Sequence, residues 1–358
     1  MIWSVAWKNV WRSRKRSLIV ISAVTLGTIA GVFTSGMMNG WVNQRIDAVI
    51  NTEISHIQVH HPDYLLNNEL KYTIPDYENV VNTLQQNPAF KQTSSRVKVT
   101  AMAATSRGNT ALTLQGVNIE DEKAIRNIHK KIVKNGGNYL GTDMRNPIVI
   151  SDKTAEQLRI KSYSITPQTI DSLKILAIPE DIIKKTGPLK NKRFKTEKLY
   201  KKALEEQFTT KEIKEYGHHL LNAAKHYRLR SKIVFTFNER DGGLVYQTYR
   251  VCGIFKTNNT MFDQMNAFVL YDDLAEVANF EENEYHEIAI LLNDNENPDE
   301  FKTKLKTAFP GLSFLSWKDL SPETALMTDF MDVWYIIIIG IILMALAFGI
   351  INTMLMAI

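Results

Sequence analysis

The chain has 358 residues, longer than one typical domain, and its charged fraction of 23% is ordinary for a globular protein. The formal net charge of +5 is carried by Lys8, Arg12, Arg14, Lys15 and Arg16, and the rest of the chain is balanced, so the sequence gives no general case for nucleic-acid binding. Cys252 is the single cysteine, which excludes an intrachain disulfide and a cysteine-rich metal centre.

Residues 1–16 place Trp3, Trp7, Val10 and Trp11 at helical spacing, with Lys8, Arg12 and Lys15 on other faces. This pattern predicts an amphipathic helix in the cytoplasmic headgroup layer. Trp3, Trp7, Trp11, Arg12, Arg14 and Arg16 would be its interface anchors, indoles at the boundary and cations near anionic lipid. The alternative is that the segment extends the following span.

Residues 17–44 contain no charge. About 20 apolar residues cross a bilayer as a helix, because lipid forces each backbone N–H and C=O to bond within its own segment. The stretch therefore predicts a first transmembrane helix. It is too long for the apolar region of a signal peptide, and no Ala-x-Ala site follows. The basic cluster before it places the N-terminus in the cytoplasm and the following segment outside. Ala23, Gly27, Gly31 and Ser35 repeat every four residues, a spacing that lets another helix pack closely in lipid. Phe33, Met37 and Met38 offer an apolar, adaptable surface for substrate or lipid.

Residues 45–332 read as one extracytoplasmic α+β domain. SHIQVHH at 55–61 alternates as a half-buried strand, with Ile57 and Val59 inward and His56, Gln58 and His60 on a polar face. The histidines invite a metal reading, but no carboxylate or cysteine accompanies them, so none is assigned. A helix at 79–86 and a hairpin at 96–104 and 110–117 follow, turning at Arg107-Gly108-Asn109. Then come a helix at 120–131, a strand PIVIS at 147–151 and a helix at 152–158.

Residues 161–230 differ in texture and read as a basic helical insertion. Residues 184–202 hold nine basic residues and one acid, Glu197. A solvated surface explains them, and an anionic lipid or acidic partner is the other reading. His218, His219 and His226 read as surface residues.

Strands return at 232–238 and 244–255 around Asp241-Gly242-Gly243, then at 267–271 and 287–292, with helices at 272–279 and 298–309. Ser321-Pro322-Glu323 is a helix-start signal. The final stretch, 333–358, is again free of charge and predicts a second transmembrane helix, on which Val333 and Ile337 would face substrate or lipid.

No phosphate-cradling G-x-x-x-x-G-K-[ST], H-E-x-x-H or G-x-S-x-G occurs. Ser95 to Lys98 matches S-x-x-K, but on a predicted strand. No catalytic residue or cofactor is assigned, and the chain is not expected to be an enzyme or to hydrolyse ATP.

Four stretches in order resemble one family: AWKNVWRSRKRS, HIQVHHPDY, KIVFTFN with YRVCGIFKTNNTMFD, and FGIINTMLMAI. Together they resemble the MacB/FtsX-like permease superfamily of ABC transporters, most closely its lipoprotein-releasing LolC/LolE-type subunits. The resemblance implies a multi-pass protein of the bacterial inner membrane with a periplasmic MacB-like domain. It implies a second permease subunit, as homodimer or heterodimer, and a cytoplasmic ATPase subunit that binds the ATP. Substrate would be a lipoprotein drawn from the membrane and passed to a periplasmic carrier. Efflux of the MacB type, or FtsX-like relay of ATPase motion without transport, are the alternatives. Cargo handling predicts an apolar groove at the membrane, and a relay predicts a protein-docking patch. Such permeases have four spans, so the resemblance also implies that the sequence ending at Ile358 is C-terminally truncated.

Overall fold

The computed structural model describes residues 14–141, 143–294 and 296–355. The chain divides into two compact units, Met1–Ile50 with Lys318–Ile358, and Asn51–Trp317. In the first, a helix of 35 residues runs over Arg14–Ala48 and a helix of 34 residues over Pro322–Leu355. Pro322 opens the second helix where its missing N–H costs nothing, and the N–H groups of Thr324 and Ala325 close onto the Ser321 carbonyl. Among the described residues, one helix is long and apolar enough to cross a membrane by length and composition, Pro322–Ala345, with a mean hydropathy of 2.0.

The second unit is α+β and holds two sheet regions that share one long strand. The strands are β1 (Ile57–His60), β2 (Phe90–Thr105), β3 (Gly108–Val117), β4 (Ile132–Gly137), β5 (Pro147–Ser151), β6 (Lys161–Ser164), β7 (Arg193–Phe194), β8 (Lys225–Tyr227), β9 (Lys232–Asn238), β10 (Leu244–Phe255), β11 (Asn266–Leu270), β12 (Glu287–Leu292) and β13 (Ser313–Ser316). The order β13-β1-β12-β2 is wholly antiparallel between neighbours. Helix Tyr77–Gln85 joins β1 to β2, and helix Pro298–Ala308 joins β12 to β13. This is a pair of split β-α-β units. The helices bury Val80, Leu84, Phe301 and Leu305 against Ile57, Val59, Ile288, Ile290 and Phe314.

Beyond Arg96, β2 enters a second structure. It pairs with β3, β3 with β11, β11 with β5, β5 with β10, β10 with β9, and β9 back with β2. Six strands thus close on themselves, which removes sheet edges. Val97, Val99, Ala101 and Ala103 of β2 alternate inward and meet Phe235, Tyr249 and Ile254. The rings of Phe235 and Tyr249 pack edge to face at 5.6 Å. Each such large side chain removed from water contributes roughly 1.5–3 kcal/mol.

The structure departs from the sequence-based expectations at three places. Strand β1 is buried on both faces, because a second layer covers Gln58 and His60. The helix expected at 120–131 breaks into an α-helix, Ile119–Ile125, and a 3-10 turn, Asn127–Lys131. Residues 161–230 are not simply helical. They fold around their own core of Tyr163, Leu173, Tyr200, Leu204 and Leu220, with a three-stranded sheet in the order β7-β6-β8. Helices Pro167–Ile175 and Thr210–Ala223 each start with a capping box, on Thr166 and Thr209. His218 and His219 are exposed, but His226 is half-buried and its Nε2 lies 3.2 Å from the Ser164 carbonyl oxygen.

Candidate functional site

The two long helices meet along a seam. On the first, Gly31, Ser35, Met38 and Val42 are withdrawn from the surface among exposed neighbours. On the second, Met331, Tyr335, Ile338 and Ile342 are withdrawn at the matching spacing, as is Gly340 between the last two. Both sets step by four, three and four, the 3.5-residue repeat of a left-handed helix pair. Gly31 is the tight point of the seam. A Cβ there would lie 2.2 Å from Ile342 Cδ1 and 3.3 Å from Ile342 Cγ1. Gly27, Gly36 and Gly40 have nothing within 4 Å of such an atom.

Beside this contact lies a cleft of about 380 Å³. Gly31, Val32, Ser35, Gly36 and Asn39 form one wall, and Tyr335, Ile338, Ile339 and Ile342 the other. The small residues of the first wall make the space, and the isoleucines make it apolar. Asn39 Oδ1 accepts from Asn43 Nδ2 at 3.1 Å. A cleft of this size and lining suits an alkyl chain or side chains of another helix.

Of the residues singled out in the sequence, Gly31 and Ser35 line this cleft. Gly27 faces open space, and the Ala23 side chain lies outside the described residues, as does that of Arg16. Phe33, Met37, Val333 and Ile337 are exposed on other faces of the helices, and Met38 is half-buried in the seam. Trp3, Trp7, Trp11 and Arg12 lie outside the described residues, and Arg14 is exposed. The Gly36-x-x-x-Gly40 spacing in the sequence marks Gly36 for close helix approach, and sequence reasoning missed Val32, Asn39 and the isoleucine wall. The available signal was the 3.5-residue spacing of Gly31, Ser35, Met38 and Val42.

The second unit holds a buried ionic layer on the side of the β13-β1-β12-β2 sheet away from its two helices. Antiparallel register sets Arg96 of β2 directly opposite Glu287 of β12. Arg96 Nη1 and Lys98 Nζ both donate to Glu287, while Arg96 Nε donates to Glu122 at 2.9 Å. Ser94 Oγ donates to the same Glu122 oxygen at 2.7 Å. Arg126 continues the layer, with Nη1 on Gln115 at 2.8 Å and Nη2 on the Glu53 carbonyl at 2.5 Å. The side chains of Arg96 and Glu287 are both 0% exposed.

Burial opposes ionisation of Glu287, but the charges of Lys98 and Arg96 outweigh it and hold its carboxyl below the usual range. Burial, and then the like charge of Arg96, pull the Arg126 guanidinium down to about 10. Burial also lowers His60 and His286 to about 4 each. His60 therefore stays neutral although its Nε2 lies 3.8 Å from Glu287, and that contact is not an ion pair. His60 Nδ1 instead meets the His286 carbonyl oxygen at 2.9 Å, and the Tyr64 ring stacks on both imidazoles. Ser95 and Lys98 bond separately to Tyr77 and Glu287, so the S-x-x-K match makes no shared site.

No protein-family model matches the chain, and no curated protein does. Among solved structures the chain is similar to the extracellular domain of the noncanonic ABC-type transporter YknZ from Gram-positive bacteria, at 13% identity and a TM-score of 0.37. That match covers 73% of this chain and 99% of the other. It is also similar to the periplasmic region of MacB from Actinobacillus actinomycetemcomitans, at 10% identity and a TM-score of 0.38, covering 77% of this chain and 94% of the other.

Proposed function

We propose that the chain is a permease subunit of an ABC transporter in the bacterial inner membrane. Helices Arg14–Ala48 and Pro322–Leu355 are its two spans, and Asn51–Trp317 is a periplasmic domain between them. A separate cytoplasmic ATPase drives it, and a second permease subunit completes the assembly. The substrate is a lipoprotein, released toward a periplasmic carrier. The observation that carries this reading is the apolar cleft between two long helices that bracket an α+β domain in the sequence. An acyl chain needs such a space at the membrane, and the ordered stretches of family resemblance support the same assignment.

A relay or MacB-type efflux role has an observation of its own. Met102, Val234 and Tyr246 are exposed on the adjacent strands β2, β9 and β10, with Met102 and Tyr246 both paired to Thr236. Apolar side chains grouped on a barrel exterior suit protein docking.

The two readings separate by photo-crosslinking in bacterial membranes that also contain the ATPase. A crosslinker at Asn39, inside the cleft, should capture acylated lipoprotein and lose it when ATP is added. No lipoprotein adduct at Asn39, with adducts to soluble periplasmic proteins from Tyr246, refutes lipoprotein release and favours relay or efflux.

A further inference from the structure

The permease reading gives residues 161–230 no task, although residues 184–202 within them hold nine basic residues and one acid. Part of that run is neutralised locally. Lys184 pairs with Glu180, Lys185 with Glu212 and Lys201 with Glu197. The run is therefore not one bare cationic patch. Cationic and neutral donors converge instead in a cavity of about 380 Å³ between β4 and this subdomain.

Strand β4 supplies Lys134 and Asn135. Helix Pro167–Ile175 supplies Ser172, helix Thr210–Ala223 supplies His219 and Asn222, and β8 supplies Lys225. None of the residues lining the cavity is a carboxylate. Lys134 has no ion-pair partner among the described residues. Lys225 has one, Asp152 at 3.5 Å, but Lys161 approaches the same oxygen at 3.2 Å and the Tyr227 hydroxyl donates to the other. Asp152 is thus divided among three donors, and Lys225 is left under-compensated. Burial then lowers the Lys225 ammonium below its ordinary range, a direction that a bound anion would reverse.

Two lysines in the wall of one cavity, flanked by the neutral amides of Asn135 and Asn222, match the charge and acceptor count of a phosphate group. We propose that this cavity binds a phosphate-bearing ligand, with Lys134 and Lys225 on its charge and Asn135 and Asn222 on its remaining oxygens, while the Ser172 hydroxyl, which donates to the Gln168 carbonyl at 2.9 Å, only lines the wall. The phosphate belongs either to a soluble phosphorylated solute or to a phospholipid headgroup. The proposal does not depend on the permease reading.

The test uses the full chain in nanodiscs of zwitterionic lipid. Three probes are titrated calorimetrically: inorganic phosphate, glycerol 3-phosphate, and dihexanoylphosphatidylglycerol below its micelle concentration. Lys134→Glu and His219→Glu change exposed side chains and should leave the melting temperature unchanged. Each places a carboxylate in the cavity wall and should weaken binding by about tenfold or more, because like charge beside a phosphate repels it. Equal binding of glycerol 3-phosphate and the short lipid identifies a soluble phosphorylated ligand, and binding of the lipid alone identifies a headgroup. The proposal is overturned if no probe binds the wild type, or if Lys134→Glu and His219→Glu bind as the wild type does.

Discussion

Glu287→Gln tests the ionic layer most directly. Glutamine has nearly the shape of glutamate, so packing is kept and no cavity forms. What is lost is the anion that Arg96 and Lys98 share at a site where Arg96 and Glu287 are 0% exposed. Glu122 remains on Arg96 Nε, but among the described residues Lys98 has no second carboxylate partner. Breaking a buried pair by removing one member costs about 3–5 kcal/mol, because the other charge stays behind without water. In a unit of this size each kcal/mol moves the melting temperature by roughly 2–4 °C, so the expected loss is on the order of 10 °C. The control is Glu284→Gln, whose partner Arg240 is 31% exposed. Water replaces that bond, and the expected loss is under about 1 kcal/mol. Thermal unfolding of the full chain in micelles, followed by tryptophan fluorescence, reads both, since Trp317 is buried beside β1. Adding Lys98→Met to Glu287→Gln removes the stranded charge and should recover part of the loss. A Glu287→Gln melting temperature equal to that of the control, or a double variant less stable than the single, would refute the reasoning.

Acidification should destabilise the domain. His60 and His286 titrate near 4 in the folded chain, while an unfolded chain takes up those protons near the ordinary histidine value of about 6.5. Their contribution is fully present above pH 6.5 and is lost as pH falls toward 4, by up to about 1.4 kcal/mol per pH unit for each histidine. A melting temperature unchanged between pH 7 and pH 5 contradicts this. Cys252 donates from Sγ to the Ile148 carbonyl, and burial pushes its thiol up to about 12. Maleimide at pH 8 should therefore label the folded chain orders of magnitude more slowly than the unfolded one, and equal rates would disprove it. Gly31→Leu places atoms where Ile342 Cδ1 stands and should lower the stability of the helix pair. Adding Ile342→Ala should restore it, and an unaltered melting temperature in Gly31→Leu argues against the seam.

Local pattern alone was enough for the two long apolar helices, the β2–β3 and β9–β10 hairpins and the start of the second long helix. Each depends on residues a few positions apart, such as Asp241-Gly242-Gly243 at a turn or Ser321-Pro322-Glu323 at a helix start. The candidate cleft was legible in part, since Gly31 and Ser35 stand out as small residues on an apolar helix. Its second wall was not, because Tyr335, Ile338 and Ile342 look like any other residues of an apolar run until the first helix lies against them.

The ionic layer was not legible at all. Arg96 and Glu287 are 191 positions apart, and each reads as a surface charge on its own strand. Only the β2–β12 register sets them opposite one another, and only the helix Ile119–Ile125 brings Glu122 to the pair. The same holds for His60, which alternation assigned to a solvated face and the fold buried. Alternation reports which side chains share a face of a strand. Whether that face meets water or a second layer is decided by segments far away in the chain, and so by the tertiary structure alone.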